Sequence, residues 1–356
     1  MIKYLTVVLG HIKIIDQPFI TTINFKQIIM KFLNKTFLIA LVTVSSLSTY
    51  AQDETAEETP SPTFSVAGTV DAYFRGTEYA PATSFANGNG FALGMANIIV
   101  SYEGEKSGFV ADLVFGPRGN NAVFESKDGS TPIVNQLYIY YNVSDSFTLT
   151  MGNFNTFLGY EVISPAANFN YSTSYMFSNG PFSHTGIKAD FSLSDDVSLM
   201  TAILNETDKT ESQPKDGDYV FGAQLGLYGQ YINFISGGGN SVSQIDFTGG
   251  FDISDSFFLG VNATSYKDDN DEWSGVALYP QYTLSDSFAI GLRGESFDVK
   301  DDNTFTSFTI TGSYTSGNII IKPEIRIDSA DKNVAVWSAN GTDSLSSFVL
   351  AAIYSF

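Results

Sequence analysis

The chain has 356 residues, no Cys, 31 Gly, 19 Tyr and 30 Phe, and carries 18 basic against 38 acidic side chains, a net charge of −20. So large an acidic excess excludes a nucleic-acid partner, and the lack of any run of about 18 consecutive apolar residues after position 50 excludes a helical membrane protein. What remains is a large all-β chain rich in aromatic residues.

At the N-terminus, residues 1–29 read as a spurious upstream extension, with a genuine long leader as the alternative. From Met30, the stretch MKFLNKTFLIALVTVSSLSTYAQ places Lys31 and Lys35 ahead of an apolar run from Phe37 to Leu47, with small residues before Ala51. This pattern predicts a secretory signal peptide over 30–51, cleaved between Ala51 and Gln52. Residues 1–51 hold five Lys and one Asp, so the remaining chain has 13 basic and 37 acidic residues, a net of −24. Residues 52–63, QDETAEETPSPT, have no apolar periodicity and predict a flexible acidic tail.

From Phe64 onward the sequence alternates. In FSVAGTVDAYFR the apolar Phe64, Val66, Val70 and Phe74 oppose Ser65, Thr69, Asp71 and Arg75. Alternating runs predict sixteen strands, at 64–75, 91–103, 108–117, 133–143, 147–156, 183–193, 197–206, 218–228, 230–237, 243–253, 257–267, 273–284, 288–298, 304–314, 318–328 and 345–356. Many exceed the usual strand of about five or six residues and suit a tilted crossing of a bilayer about 30 Å thick. The fold class that follows is all-β: a transmembrane antiparallel β-barrel over 64–356, with short periplasmic turns and longer extracellular loops. A soluble sandwich would have to bury charged strand faces or leave them wet.

The tetrapeptide SDSF occurs at Ser144–Phe147, Ser254–Phe257 and Ser285–Phe288, with SDDV at Ser194–Val197. Ser and Asp bond their own backbone, so each copy predicts a tight hairpin turn, and the unequal spacing excludes a solenoid repeat. These turns mark the periplasmic side. Loops at 76–90, 118–132, 157–182, 207–217, 268–272, 299–303 and 329–344 mark the other side.

Strand parity points a set of polar side chains inward, where they would line a pore: Asp71, Arg75, Asp112, His184, Lys188, Asp190, Arg293, Glu295, Lys322, Glu324 and Arg326. The longest loop, 157–182, is rich in Asn, Tyr, Ser and Phe and predicts a constriction folded into the lumen through Asn168, Asn170, Tyr171, Tyr175 and Phe177; an external cap is the alternative. His184 is the only His after the leader. With no G-x-S-x-G and no HExxH in the sequence it reads as structural, and no catalytic residue is assigned. YKDDNDEW at 266–273 has the acidity of a calcium loop without its central Gly and late Glu, so no metal site and no cofactor is assigned. In FVLAAIYSF, Phe348, Leu350, Tyr354 and Phe356 share one face, a pattern resembling the barrel-insertion signal of outer-membrane proteins.

The stretch LGYEVISPAANFNYSTSYMFSNGPFSHTGIKADFSLSD, with LRGESF and the closing AAIYSF, resembles the OmpL-like β-barrel porin family of Bacteroidetes outer membranes. The resemblance implies an outer-membrane location and a water-filled channel for passive diffusion of small hydrophilic solutes and ions. The partners implied are outer-membrane lipid and lipopolysaccharide, the barrel-assembly machinery and the solutes themselves, with a homo-oligomer left open. A barrel hydrolase and a structural or adhesive barrel with a plugged lumen remain as alternatives. The acid-rich chain also implies weak cation preference.

Overall fold

The computed structural model describes residues 62–123, 133–211 and 218–356. The expected extension over 1–29, the signal peptide over 30–51 and all but the end of the tail over 52–63 lie outside these residues.

The described residues form sixteen strands: β1 (Thr63–Arg75), β2 (Gly90–Glu103), β3 (Ser107–Phe115), β4 (Val134–Ser144), β5 (Phe147–Asn155), β6 (Ser183–Ser194), β7 (Val197–Leu204), β8 (Val220–Leu227), β9 (Gln230–Gly237), β10 (Val242–Ser254), β11 (Phe257–Lys267), β12 (Glu272–Ser285), β13 (Phe288–Val299), β14 (Thr304–Ser316), β15 (Ile319–Val334) and β16 (Thr342–Ser355). Two short helices, α1 (Gly116–Ala122) and α2 (Tyr175–Asn179), sit in loops. Each strand pairs antiparallel with its sequence neighbours, and β16 returns to β1, so the sheet is a closed barrel. Closure pairs every backbone edge, as a sheet in lipid requires. Phe356 completes it by exchanging two backbone bonds with Gly68, each 3.0 Å.

Alternation decides which face is which. Val66, Val70, Ile325, Ile327 and Leu350 stand exposed on the outside, while Asp71, Arg75, Lys322, Glu324 and Arg326 are buried inside. The face toward lipid is apolar, and the polar set has only the lumen to go to.

The Ser-Asp turns share one construction. In the hairpins β4–β5, β6–β7, β10–β11 and β12–β13 the pairing register shifts by one residue just before the turn. The last turn residue then offers its carbonyl to the next hairpin: Ser146 to the Ser192 N–H, Asp196 to Tyr228, Ser256 to Thr283 and Ser287 to Thr315, at 2.8–2.9 Å. Repeating one turn therefore ties four hairpins to their next neighbours at this rim.

Two prolines lie inside strands. Pairing of β12 with β13 skips from Leu278 to Gln281 around Pro280, and that of β14 with β15 skips from Glu324 to Ile321 around Pro323, because proline has no N–H to donate. The largest departure from the expected boundaries is β15, which continues to Val334 past the expected end at 328, through an irregular register between Ser329 and Val334. There β15 and β16 run on together, and the connection shrinks to a turn around Ala335–Trp337.

The Phe356 ring packs over Gly68 on the outer face. Phe356→Ala keeps the backbone closure and removes that cover. The refolded barrel is expected to lose no more than about 1.5–3 kcal/mol, the burial of one such side chain, in urea unfolding from detergent micelles. A larger loss would show that the ring carries closure itself.

Candidate functional site

Between β5 and β6 the chain turns into the barrel, and this inner loop defines the lumen. It has almost no regular structure, so its peptide groups need partners inside a closed space. Local bonds supply some. Asn168 accepts the Val162 N–H (2.8 Å) and donates back to the Val162 carbonyl (2.5 Å), closing one turn. Ser174 caps α2 by accepting the Phe177 N–H at 3.0 Å.

The wall supplies the rest. Glu324 accepts the N–H groups of Tyr171 (2.7 Å) and Ser172 (3.0 Å); Glu295 accepts those of Tyr175 (2.9 Å) and Met176 (2.8 Å). Lys322 donates to the carbonyls of Pro165 (2.8 Å) and Asn168, Arg326 to that of Thr173 (2.6 Å), and Arg293 to that of Ser172 (2.6 Å). Arg293 also pairs with Glu161 of the loop at 2.7 Å, with both side chains buried. Arg326 is held in turn by Asp328.

Apolar contacts fill what the ions leave. Leu158 joins Phe154, Met200, Leu204 and Ile235. Ile163, Phe177 and Phe182 join Phe85, Met95 and Val114. Tyr175 and Met176 join Trp273, Tyr279, Phe297 and Trp337, and Tyr171 joins Tyr73, Val349 and Ile353. Three wall glycines, Gly222, Gly260 and Gly291, leave room for Phe157, Tyr160 and Phe169; a Cβ at any of them would overlap the ring.

The remaining sequence candidates have distinct surroundings. Asp71 accepts the Tyr171 hydroxyl (2.5 Å) and the Met95 N–H (2.8 Å). Arg75 holds the first loop through the carbonyls of Tyr79, Asn87 and Gly88. Asp112 accepts the carboxamides of Asn97 (3.1 Å) and Asn135 (2.6 Å) across neighbouring strands. His184 is buried, bonded to Thr156 at 2.9 Å and packed on Phe157. Lys188 and Asp190 pair at 2.7 Å toward the turn end, where they keep contact with water. In the 266–273 segment, Asp268 accepts N–H groups from Asn270 and Asp271 and so closes its own turn. Among the constriction candidates, Asn170 donates to Thr311 (2.7 Å), Tyr175 to Asp328 (3.0 Å), and Phe177 packs on Phe85 and Phe182.

Several residues that hold the site were not singled out from sequence. Asp246 accepts Gly159 N–H (2.9 Å), Asn233 (2.8 Å), Asn262 (2.6 Å) and Thr264. Arg118 of α1 reaches the Ile163 carbonyl at 2.9 Å. Asp246 shares strand parity with Gln244, a detectable signal; Glu161 and Arg118 lie in loops, where no periodicity points inward.

The match of residues 63–356 to the family described as "Putative beta-barrel porin-2, OmpL-like" decides the family. The chain belongs to this porin family. It is an outer-membrane protein of bacteria, with the short turns in the periplasm and the loops outside. The porin's barrel is similar to the anion-selective porin from Comamonas acidovorans (11% identity over 83% of this chain and 100% of that chain, TM-score 0.58). It is also similar to a loop L8 deletion mutant of OmpT from Vibrio cholerae (11% identity over 83% and 99%, TM-score 0.51). At such identity these likenesses show the fold alone. A search of curated proteins found no match.

Two expectations follow for the porin. Replacing Arg293 by Met strands the Glu161 carboxylate in a buried site and should cost about 3–5 kcal/mol in urea unfolding, with much of it recovered when Glu161→Leu is added. Equal stability of wild type and Arg293→Met would show the pair to be dispensable. The second concerns the part-buried Asp208 on the next loop, which accepts the N–H groups of Phe182 (2.8 Å) and Ser183 (2.9 Å), where the inner loop re-enters the wall. Burial pushes its carboxyl up to about 6, against the pull of those two donors. The folded clamp thus favours the protonated acid; its contribution is full below about pH 4 and lost as pH rises through about 6. Hydrogen exchange corrected for intrinsic rates should show these two amides losing protection over that window, and Asp208→Asn should abolish the trend.

Proposed function

We propose that the porin passes small hydrophilic solutes and ions by passive diffusion, through a lumen that its inner loop narrows to a largely shut aperture. The family match supports passage, and burial is the observation that carries the narrowing. At the level of the loop each of the sixteen strands contributes an inward residue that water scarcely reaches, among them Asp71, Asn97, Asp112, Asn135, Asn153, His184, Leu204, Val220, Asn233, Asp246, Asn262, Ala277, Arg293, Thr309, Glu324 and Ala351. A wide water-filled pore would leave such residues wet. Passage therefore depends on small displacements of Asn168, Asn170, Tyr171, Tyr175 and Phe177 in the loop against Arg293, Glu295, Lys322, Glu324 and Arg326 on the wall.

The same burial supports a second reading, a structural barrel with a plugged lumen. Planar-bilayer recording separates the two. Wild type should show discrete steps of small conductance, and a porin with residues 160–175 replaced by a short Gly-Ser linker should conduct severalfold more. Gly291→Val, which displaces Phe169 from its recess, should lie between them. Silence of both wild type and linker variant would overturn diffusion in favour of the plug.

Ion preference follows from charge. Among the described residues the buried lumen set holds seven carboxylates and five cations, and the outer loops add a negative field. Weak cation preference is the proposal, measurable as a reversal potential in a KCl gradient and fading as the Debye length shrinks from about 10 Å at 0.1 M to about 3 Å at 1 M salt. Anion preference at low salt would contradict it. Self-association is a proposal too, supported by the trimer form in which OmpT of Vibrio cholerae is known. The outward face of Phe348, Leu350, Tyr354 and Phe356 supports a role as insertion signal for the barrel-assembly machinery.

A further inference from the structure

At the outer mouth, above the inner loop, lies a bowl of about 490 Å³, within the usual range of about 300–1,000 Å³ for small-molecule sites. Three separate loops build it. Thr83 and Ser84 come from the first loop, Asn120 and Asn121 from α1, and Ser178 and Asn179 from the end of α2. Among the described residues none of its lining side chains is ionisable. That is unusual at the mouth of so acidic a chain, and a smaller neighbouring cavity of about 230 Å³, which shares Asn179, is lined by Glu206, Asp208, Lys209 and Asp268.

Carboxamides and hydroxyls both donate and accept, which is the complement of a sugar hydroxyl. Among the described lining residues an ionic solute would find no counter-charge, and it would lose hydration on entry. The hydrogen-bonding capacity is also available. Among the described residues the exposed Asn120 and Asn121 carboxamides make no hydrogen bond. The Asn179 side-chain amide, which also lines the bowl, donates to the Tyr175 carbonyl (2.8 Å). The floor belongs to the element that fills the lumen: the Ser178 hydroxyl donates to the Ser174 carbonyl (2.8 Å) and accepts the Ser84 N–H (2.7 Å), tying α2 to the first loop.

We propose that this bowl binds a small neutral sugar or polyol at the external mouth, seating the solute on the end of the inner loop before passage. The inference names the solute class for the diffusion reading and rests on it, but binding in micelles needs no current, so the two fail separately. Isothermal titration of the detergent-folded porin with maltose should give saturable binding, while glutamate and inorganic phosphate should give none. The double variant Asn120→Ala with Asn121→Ala, both on an exposed helix surface, should raise the maltose Kd at least about tenfold, a difference of about 1.4 kcal/mol, with the heat-induced gel shift unchanged. Absence of saturable maltose binding by wild type, binding of the anions as tight as that of maltose, or an unchanged Kd in the double variant would each overturn the bowl as a sugar site. Sugar binding in a porin that never conducts would keep the bowl and overturn diffusion.

Discussion

An irregular peptide segment persists inside a barrel only when its N–H and C=O groups find partners there, and this requirement organises the whole lumen. The inner loop meets it with ions from the wall. Glu295 and Glu324 each take two consecutive N–H groups, while Lys322, Arg326 and Arg293 take carbonyls. Arg293 and Glu295 are fixed on β13, and Lys322, Glu324 and Arg326 on β15, so the loop is shaped by the sheet and not by its own propensity. Charge-assisted bonds of this kind are short and roughly twice as strong as neutral ones. Five such side chains on two strands can therefore hold a loop whose regular structure is limited to the short α2.

The same arrangement settles how ions survive burial. An isolated buried charge is very costly, and a buried pair is tolerated only when its remaining hydrogen-bonding capacity is satisfied. Arg293 faces Glu161 and the Ser172 carbonyl and leaves its Nε without a hydrogen bond among the described residues; Arg326 faces Asp328 and the Thr173 carbonyl. Asp246, with no cation beside it among its bonds, is surrounded by four donors. Many of the wall's polar residues hold the inner loop, while Asp112 bonds Asn97 and Asn135 on neighbouring strands, and Lys188 and Asp190 keep contact with water. Under the diffusion proposal, a barrel whose inside is packed like this filters only through the compliance of that packing.

Packing also explains the alternation of ring and glycine. Phe157, Tyr160 and Phe169 each enter a recess left by a glycine on β8, β11 or β13. The recesses set the depth of the loop, as the ionic bonds set its register. At the opposite end the repeated Ser-Asp turns join four hairpins to their next neighbours through single carbonyls. The porin therefore combines a periplasmic rim of recurring Ser-Asp turns with a specialised outer half, where the first loop and the loop carrying α1 meet the end of the inner loop.

Much of this was legible in the sequence, because the signals are local. A period of two residues needs only the strand itself, so the count of sixteen strands, the apolar outer face and the inward direction of Lys322, Glu324 and Arg326 follow from alternation. The Ser-Asp turns are equally local. Strand ends were less legible: β15 runs to Val334 because β16 extends beside it, a pairing that no single strand records. The partners of the inward ions were not legible at all. Arg293 and Glu161 are 132 positions apart, and Glu324 and Ser172 are 152 apart. Sequence by itself determined a barrel with a polar inside, since side-chain direction is a property of each strand. Only the tertiary structure decided that the inside is filled, since that depends on where one long loop finds donors, acceptors and recesses on strands far away in the chain.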